Sequence, residues 1–465
     1  MQQVTDANGH AYTVSSSDSA EKFAELTRAY LGFRPETGLV LKDLLTADPD
    51  MPMAQCAKGY FAKLIGSASH AARGAGISAK LNDQLESLDA NDRERGHAAA
   101  LAAWCAGDLD RATDCWEQVL TDHPLDAMAL RLAHFTHFYS GDGSRMRKST
   151  ARILPLWPQD HPDVGYVLGM HAFGLEESGQ YAEAEDYGRR AVDRNPEDAW
   201  SVHAVAHVLE MTERHREGID WVRGLEADWS KVNNFRFHLY WHQCLFHLER
   251  GEFDEVMRIY DEQVASDIEA DFYLDICNAT SLLWRLEMFS VDVGDRWHRL
   301  AEISKTHIED SELIFVSLHH LMALIASGDA TAAEQMIGHI RAWSTLEDTQ
   351  AKVCAEVGMA LAEGLVHARR GEPGRAAQKI AGVRDQLALI GGSKAQRDVF
   401  QMILLDATRT SEDALNARAL FAERVAEKSH SHWSWQGYSQ TLQMLGEDGP
   451  VREAAAKARA LEHDR

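Results

Sequence analysis

The sequence is poor in the features that would indicate a secreted or disulfide-bonded protein. It has six cysteines in 465 residues and no CxxC pair, which argues against a disulfide framework and a thiolate zinc site. Its ten prolines give little sign of a long flexible linker. The first residues lack a basic segment followed by an apolar one, and no run approaches the about 18 apolar residues that span a bilayer. We therefore expect a cytoplasmic protein without a membrane partner.

Positive charge is also scarce. Lys and Arg total 47 against 72 Asp and Glu, for a formal net charge of −25. Such a surface repels phosphate backbones, so the composition predicts that nucleic acid is not a partner. Phosphate-binding Gly-rich loops, the GxSxG nucleophile elbow and the dinucleotide fingerprint are absent from the sequence as well. These absences disfavour the familiar cofactor enzymes, and no cofactor is assigned.

What the sequence does contain is an internal repeat. Helix-turn-helix phrases with Gly at the turn recur, as in CAGDLDRATDCWEQVLTDHP and ESGQYAEAEDYGRRAVDRNP. The turns are 34, 38, 34 and 38 residues apart, which is the tetratricopeptide period with an occasional extra helical turn. Each helix pair is too small to bury its own apolar face, so neighbouring pairs must stack. The turn residues are Gly107, Gly141, Gly179, Glu213 and Gly251.

This repeat predicts an all-α solenoid of antiparallel helix pairs, a tetratricopeptide-like superhelix. Residues 1–90 are expected to form capping helices, and residues 91–265 to form the regular repeats. Residues 266–465 are expected to continue as degenerate repeats with a C-terminal cap, because the period slips after Gly251 and strand signals are nearly absent.

Two phrases are more specific than the repeat itself, DAWSVHAVAHVLEM at residues 198–211 and GGSKAQRDVF at residues 391–400. Together with CWEQVLTDHPLDAMALRLAH at 115–134 and HLYWHQCLFHLERGEFD at 238–254, they resemble the tetratricopeptide repeat protein 38 family along nearly the whole chain. The resemblance implies the superhelical fold and a cytoplasmic protein. It implies no particular reaction.

One inner helix carries a stripe of aromatic and ionisable residues. Trp200, His203, His207 and Glu210 span only about 80° of its circumference at 100° per residue, and their places line the concave side of a tetratricopeptide array. Adjacent inner helices lie about 10 Å apart, so side chains from two of them can meet over one ligand. If chemistry occurs, a histidine of this stripe is the general base and Glu210 is its partner. The predicted catalytic residues are thus His203, His207 and Glu210.

Other candidates lie on neighbouring inner helices and in the GGSKAQRDVF phrase. Arg397 and Asp398 are included because capping of the following helix explains the other residues of that phrase but not these two. The predicted ligand-binding residues are Trp200, His238, Trp241, His242, His97, Arg397 and Asp398.

Three interpretations of the histidines are open. They can cross-link packed helices by hydrogen bonds, or form a pocket for a small organic ligand with Trp200 and Trp241 as apolar walls. They can also share a metal ion, because His203 and His207 lie at positions i and i+4. The HExxH arrangement is missing, since Ala204 follows the first histidine, and no metal ligand is assigned.

Two functions are therefore the main alternatives, and a third is a further option. The first is a superhelix whose internal pocket binds, and in one version acts on, a small organic molecule. The alternative is a scaffold that holds a peptide or a partner protein without catalysis, the commonest use of such repeats. The third is a metal-dependent, hydrolase-like activity. Self-association is compatible with all of them, because a solenoid has two exposed ends.

Overall fold

Residues 1–463, which the computed structural model describes, form 26 α-helices and one short β-hairpin. The predicted all-α superhelix of tetratricopeptide-like helix pairs is confirmed, since consecutive helices pack on each other and alternate helices contact each other across pairs. Within this range, no helix combines the length and the apolar character that crossing a bilayer requires.

The first element of the chain is a β-hairpin, which the sequence pattern does not predict. Its strands pair antiparallel, and the backbone N–H and hydroxyl of Thr13 donate to the Glu94 carboxylate at 2.7 and 2.6 Å. Glu94 also completes a capping box at the start of its own helix, so one buried carboxylate holds both elements. The elements before the repeats are β1 (Gln2–Thr5), β2 (Ala11–Val14), α1 (Asp18–Leu31), α2 (Thr37–Ala47), α3 (Pro52–Leu64) and α4 (Ala68–Ser87).

The regular repeats alternate inner and outer helices. All residues of one inner helix from Ala199 to Glu210 are buried, whereas the outer helix before it buries only one stripe. The helices are α5 (Asp92–Cys105), α6 (Leu109–Asp122), α7 (Ala127–Tyr139), α8 (Gly143–Ile153), α9 (Val164–Glu177), α10 (Tyr181–Arg194), α11 (Ala199–Met211), α12 (His215–Gly224), α13 (Glu226–Trp229), α14 (Phe235–Glu249) and α15 (Phe253–Ile259), with a 3₁₀ turn at Leu154–Leu156 and a π turn at Tyr260–Val264.

The predicted turn positions are confirmed by the backbone. The four glycines predicted there have φ angles between +67° and +78°, and Glu213 has a φ of +57°. This left-handed conformation suits glycine and costs other residues about 1 kcal/mol. Glu213 adopts it nevertheless, and its carboxylate accepts a hydrogen bond from Ser429 N at 2.9 Å in the second half of the chain.

The second half stacks on the first as a further superhelical turn. Leu109 N donates to Thr349 Oγ1 at 3.2 Å, 240 residues away, and Lys394 N donates to Glu177 Oε1 at 3.0 Å, 217 residues away. These contacts run in the same order along both segments, so turns of the first half rest against the second half. The domain boundaries at residues 90 and 265 stay predictions. The remaining helices are α16 (Tyr273–Met288), α17 (Arg296–Lys305), α18 (Ile314–Ser327), α19 (Ala330–Trp343), α20 (Thr349–Val353), α21 (Met359–Arg369), α22 (Pro373–Ala381), α23 (Lys394–Thr410), α24 (Ala414–Glu427), α25 (His432–Met444) and α26 (Asp448–His463), with 3₁₀ segments at Ile268–Ala270 and Arg384–Ile390 and a π turn at Cys354–Gly358.

Residues 28–38, which we call the inner segment, lie against the inner helices. Arg131 Nη2 on α7 donates to the carbonyl of Leu31 at 2.8 Å, and Asn233 N before α14 donates to the carbonyl of Phe33 at 2.7 Å. The Phe33 ring stacks on Phe235 with centroids 4.4 Å apart. The end of α1 and the start of α2 therefore fill part of the groove that the inner helices would otherwise leave open.

Replacing Gly141 with Ala should separate the two superhelical turns locally. A Cβ atom at Gly141 would stand 1.8 Å from the carbonyl oxygen of Ala388. We expect the free energy of unfolding to fall by about 3 kcal/mol, of which about 1 kcal/mol is the left-handed backbone and the rest is the forced shift. Equilibrium unfolding in urea measures this loss.

Gly328→Ala is the matched control. Gly328 has a φ of +85°, and among the described residues no heavy atom would lie within 4 Å of a Cβ added there. This variant should lose only the backbone cost of about 1 kcal/mol. Equal losses in the two variants would contradict the contact between Gly141 and Ala388.

Candidate functional site

A cavity of about 710 Å³ lies where the inner segment, the inner helices of the repeats and the second half meet. Its walls are mostly apolar and include many aromatic rings. The rings that define them include Phe33, Tyr139, Trp200, Phe235, Tyr273 and Phe315. The mouth is marked by exposed residues on α2 and in the loops after α3 and before α16, namely Gly38, Ile65 and Asp271.

A few polar groups converge on this aromatic cavity. The hydroxyls of Tyr139 and Tyr273 are 3.1 Å apart and form one hydrogen bond. The buried Tyr30 hydroxyl has no hydrogen-bond partner within residues 1–463. His203 and His238 also line the cavity. An apolar enclosure with few convergent polar groups is the usual character of a small-molecule site.

Four imidazoles meet at the side of the cavity formed by α11 and α14. We call His203, His207, His238 and His242 the tetrahistidine cluster. The Nε2 atoms of His203 and His238 are 3.1 Å apart. One ring nitrogen from each of the four residues can be chosen so that all lie within 4.8 Å of one another. The i, i+4 spacing on two adjacent inner helices produces this arrangement, because it points both histidines of each helix toward the other.

Burial keeps these imidazoles neutral. It lowers the pKa of His203, His207 and His242 well below the usual value, and the neighbouring imidazoles lower it further. Burial also lowers the pKa of His238 to about 4. A neutral imidazole has one donor and one acceptor nitrogen, so each ring offers a lone pair at neutral pH.

Trp241 lies behind the cluster, where it orients a histidine. Its ring stacks on His238 with centroids 5.2 Å apart and an angle of 11°, and its indole N–H donates to Ser281 Oγ at 3.2 Å. The ring is fully buried. The prediction that Trp241 is an apolar wall of the pocket is therefore wrong. Trp200, in contrast, does line the cavity.

The carboxylate beside the cluster is Glu176, which the sequence analysis missed. Glu176 Oε2 on α9 is 3.6 Å from His207 Nδ1. Burial raises the pKa of Glu176 well above its usual value, and Glu177 raises it further. Glu176 stands three residues before the turn at Gly179, the same place that Glu210 takes before Glu213, so the repeat register could have revealed it.

Glu210 takes part in a different group. Its Oε1 is 3.3 Å from Lys428 Nζ, in a small pocket that it shares with Arg285 and Asp398. The expected partnership of Glu210 with a histidine is therefore wrong, because its carboxylate pairs with the Lys428 ammonium from the second half of the chain.

Arg397 and Asp398 support the structure around the cavity. Arg397 donates to the carbonyl of Gly392, a lining residue, and so braces the loop before α23. Asp398 accepts from Arg424 Nη2 at 2.9 Å, and that pairing outweighs the effect of burial and lowers the pKa of Asp398. The predicted ligand contact of Asp398 is therefore wrong, because its carboxylate is paired with Arg424. The predicted ligand contact of Arg397 is also wrong, because its guanidinium binds the carbonyl of Gly392.

His97 lies in the core between α5 and α7, and not at the cavity. Its Nε2 is 3.0 Å from Asp126 Oδ2, and its Nδ1 is 3.1 Å from the Tyr60 hydroxyl. Arg93 donates to the same carboxylate oxygen at 2.8 Å. Both ring nitrogens are engaged in a fully buried network, so the expected ligand contact of His97 is corrected.

Comparison with known proteins gives distant fold neighbours. A human IFIT1 dimer with PPP-AAAA has a TM-score of 0.42 and 10% identity, covering 97% of this chain and 95% of that one. Naa15/Naa10 bound to HypK-THB has a TM-score of 0.26 and 11% identity, covering 95% and 75%. The APC/C hetero-tetramer Cut9–Hcn1 has a TM-score of 0.33 and 12% identity, covering 80% and 73%. No family model matches the chain.

The prediction that nucleic acid is not a partner is wrong, because net charge alone does not exclude nucleic acid. Human IFIT1 dimers, which are similar helical-repeat proteins, are solved with PPP-AAAA and with m7Gppp-AAAA. The prediction rests on the net charge of −25. That sum describes the average surface, whereas binding depends on the local potential inside a groove or cavity.

Asp126→Asn should destabilise the protein strongly at neutral pH and less in acid. At pH 7 we expect a loss of about 3 kcal/mol in the free energy of unfolding, because Arg93 stays buried without its counter-charge. The Asn keeps the cap that Asp126 provides to α7. Burial alone would raise the pKa of Asp126, but His97 and Arg93 hold it well below the usual 3.8.

A group with a depressed folded-state pKa stabilises the fold above its unfolded value and loses that contribution as pH falls toward the folded pKa. The difference between wild type and Asp126→Asn should therefore shrink by about 2 kcal/mol between pH 5 and pH 2 in urea unfolding. Asp114→Asn, which removes an exposed pair with Arg145, should cost less than about 1 kcal/mol. A constant difference for Asp126→Asn across this range would contradict the buried ion pair.

Proposed function

We propose that the superhelix encloses a binding site for a small organic molecule with an aromatic or aliphatic body. The observation that supports it is the cavity of about 710 Å³, within the range of about 300–1,000 Å³ that small-molecule sites occupy. Its aromatic walls would cover the apolar body of the ligand. The imidazoles of His203 and His238, which line the cavity, would lie next to its polar groups.

The inner segment favours this function over a peptide scaffold. An extended peptide needs an open concave groove along several repeats. Here Arg28 is paired with Asp163 at 3.0 Å, and Arg34 is paired with Glu197, so the inner segment already occupies the face that a peptide would use.

The resemblance to the tetratricopeptide repeat protein 38 family agrees with this proposal. Both of its most specific phrases contribute to the cavity, the first through Trp200 and His203 and the second through residues 391–393 and Gln396. We propose that the chain belongs to this family and that the cavity is the feature these phrases build. The cytoplasmic location and self-association stay predictions.

Among the residues proposed for catalysis, His203 has the best position. It lines the cavity, and its neutral imidazole could accept a proton from a bound molecule. His207 lies one helical turn further along α11, in contact with Glu176. A reaction at this site would therefore use His203 as the general base.

Gly38→Trp should block the mouth of the cavity. Among the described residues, no heavy atom lies within 4 Å of a Cβ built on Gly38, so the indole can be added without a clash at its base. We expect the affinity for 8-anilinonaphthalene-1-sulfonate, an aromatic fluorescent probe, to fall at least about tenfold, a change of about 1.4 kcal/mol. Fluorescence titration of the full chain measures it.

Gly76→Trp is the matched control. Gly76 is an exposed helical glycine on α4 with the same open surroundings among the residues described, but it does not border the cavity. It should bind the probe as the wild type does. Equal affinity in both variants and the wild type would contradict the proposed site. Displacement of the probe by PPP-AAAA, and not by small aromatic acids, would replace the proposed ligand class with nucleic acid.

A further inference from the structure

The tetrahistidine cluster is poorly satisfied as a packing arrangement. Within residues 1–463, both ring nitrogens of His207 and of His242 lack a hydrogen-bond partner, as does Nδ1 of His203. All three side chains are buried. Each unpaired buried polar group has a desolvation cost that a phenylalanine at the same place would avoid. Simple cross-linking of helices therefore does not explain why four imidazoles are gathered here.

Two other buried histidines of this protein show how a neighbouring helix can satisfy an imidazole, although His134 is buried without a partner among the described residues. His137 Nε2 is 2.9 Å from Glu117 Oε1, and His320 Nδ1 is 3.0 Å from Ser304 Oγ. Both use a hydroxyl or carboxylate from a neighbouring helix. The cluster instead directs imidazoles at imidazoles, which leaves several lone pairs facing one small volume.

Two oxygen-bearing side chains lie next to the outer nitrogens of the cluster, as they do at many metal-binding histidines. His238 Nδ1 is 3.0 Å from Asn278 Oδ1. With that oxygen as the acceptor, Nδ1 carries the proton and the lone pair of Nε2 faces His203. On the other side, His207 Nδ1 is 3.6 Å from Glu176 Oε2, which is longer than a hydrogen bond. Metal-ligating imidazoles usually direct their second nitrogen at such an oxygen, which fixes the tautomer and the ring.

The spacing of the nitrogens also suits a small ion. Two nitrogens at about 2.0–2.1 Å from a tetrahedral zinc ion are about 3.4 Å apart. The Nε2 atoms of His203 and His238 are 3.1 Å apart. One ring nitrogen from each of the four histidines can be chosen so that all lie within 4.8 Å of one another. Modest rotations of the imidazoles would bring four nitrogens to one ion.

We propose that His203, His207, His238 and His242 bind one divalent first-row transition metal ion, with Glu176 beside it as the positioning carboxylate of His207. Imidazole ligands suit zinc, copper, iron and nickel, whereas magnesium and calcium prefer oxygen. His203 and His238 also line the cavity, so the ion would lie next to a molecule bound there. A ligand with an oxygen or nitrogen donor could then reach the metal. Metal binding does not rest on the proposed small-molecule function, and it replaces the general-base role of His203, because the lone pair of this imidazole would then bind the ion.

The metal content of the full chain, purified without a polyhistidine tag, tests the proposal. Elemental analysis by mass spectrometry should find about one transition-metal ion per chain, or about one Zn²⁺ taken up after treatment with a chelator and titration. Co²⁺ added to the metal-free protein should give the visible absorption bands of a four- or five-coordinate site. No ion, no uptake of Zn²⁺ and no Co²⁺ spectrum would overturn the proposal without any variant.

Substitutions of the cluster histidines test whether the ion binds there. His242→Phe and His207→Phe each remove one ligand and keep a ring in the core, and we expect the retained metal to fall at least about tenfold. His134→Phe is the matched control, because His134 is equally buried and both its nitrogens lack partners among the described residues, yet it lies outside the cluster. Circular dichroism checks that each variant is folded, and His203→Gln replaces any that is not. Full metal retention in the folded cluster variants would assign the ion elsewhere and overturn the proposal.

The proposed small-molecule site and the proposed metal site can be contradicted independently of each other. Gly38→Trp should keep the metal while losing the fluorescent probe, and His242→Phe should lose the metal in an assay that contains no organic ligand. Loss of the metal in Gly38→Trp would contradict the placement of the ion, since Gly38 is on α2 and the four histidines are on α11 and α14.

Discussion

The contact between the inner segment and the inner helices is the constraint on which the enclosed cavity depends. Without residues 28–38, the concave face of α7, α11 and α14 would be an open groove. The backbone of Phe33 has a φ of +52°, a conformation that costs a bulky residue about 1–3 kcal/mol. Hydrogen bonds from Arg131 and Asn233 to the carbonyls of this segment, together with the stack on Phe235, offset this strain. The strained residue is also a wall of the cavity.

The fold could be predicted because its determinants are local. A turn residue every 34 to 38 positions, followed by small residues, specifies one helix pair at a time, and the left-handed φ angles at all five positions reflect that code. The contacts that close the superhelix are not local. The hairpin held by Glu94, the contact between Gly141 and Ala388, and the placement of residues 28–38 join segments whose sequences carry no mutual signal. Periodicity cannot report them.

The candidate site shows the same difference between local determinants, which the sequence reveals, and tertiary contacts, which it does not. The helical spacing of Trp200, His203 and His207 is a property of one helix, and it is sufficient to place them on one inner face. Which neighbour each side chain meets is a tertiary question. The spacing therefore predicts that Glu210 contacts a histidine, whereas Glu210 pairs with Lys428. The carboxyl group that does lie beside a histidine is that of Glu176, on another helix, which the spacing cannot reveal. The prediction for His97 fails for the same reason, because its partner Asp126 comes from the next inner helix.

A solenoid is ordinarily stabilised by contacts between nearest neighbours, which lets its ends fray independently. Here the cavity is lined by α1 and α2, by three inner helices of the repeats, and by Phe315 and Gly392 from the second half. A site built from segments so far apart in sequence exists only when all of them are folded together. The cavity walls therefore depend on the whole superhelix and not on any single repeat.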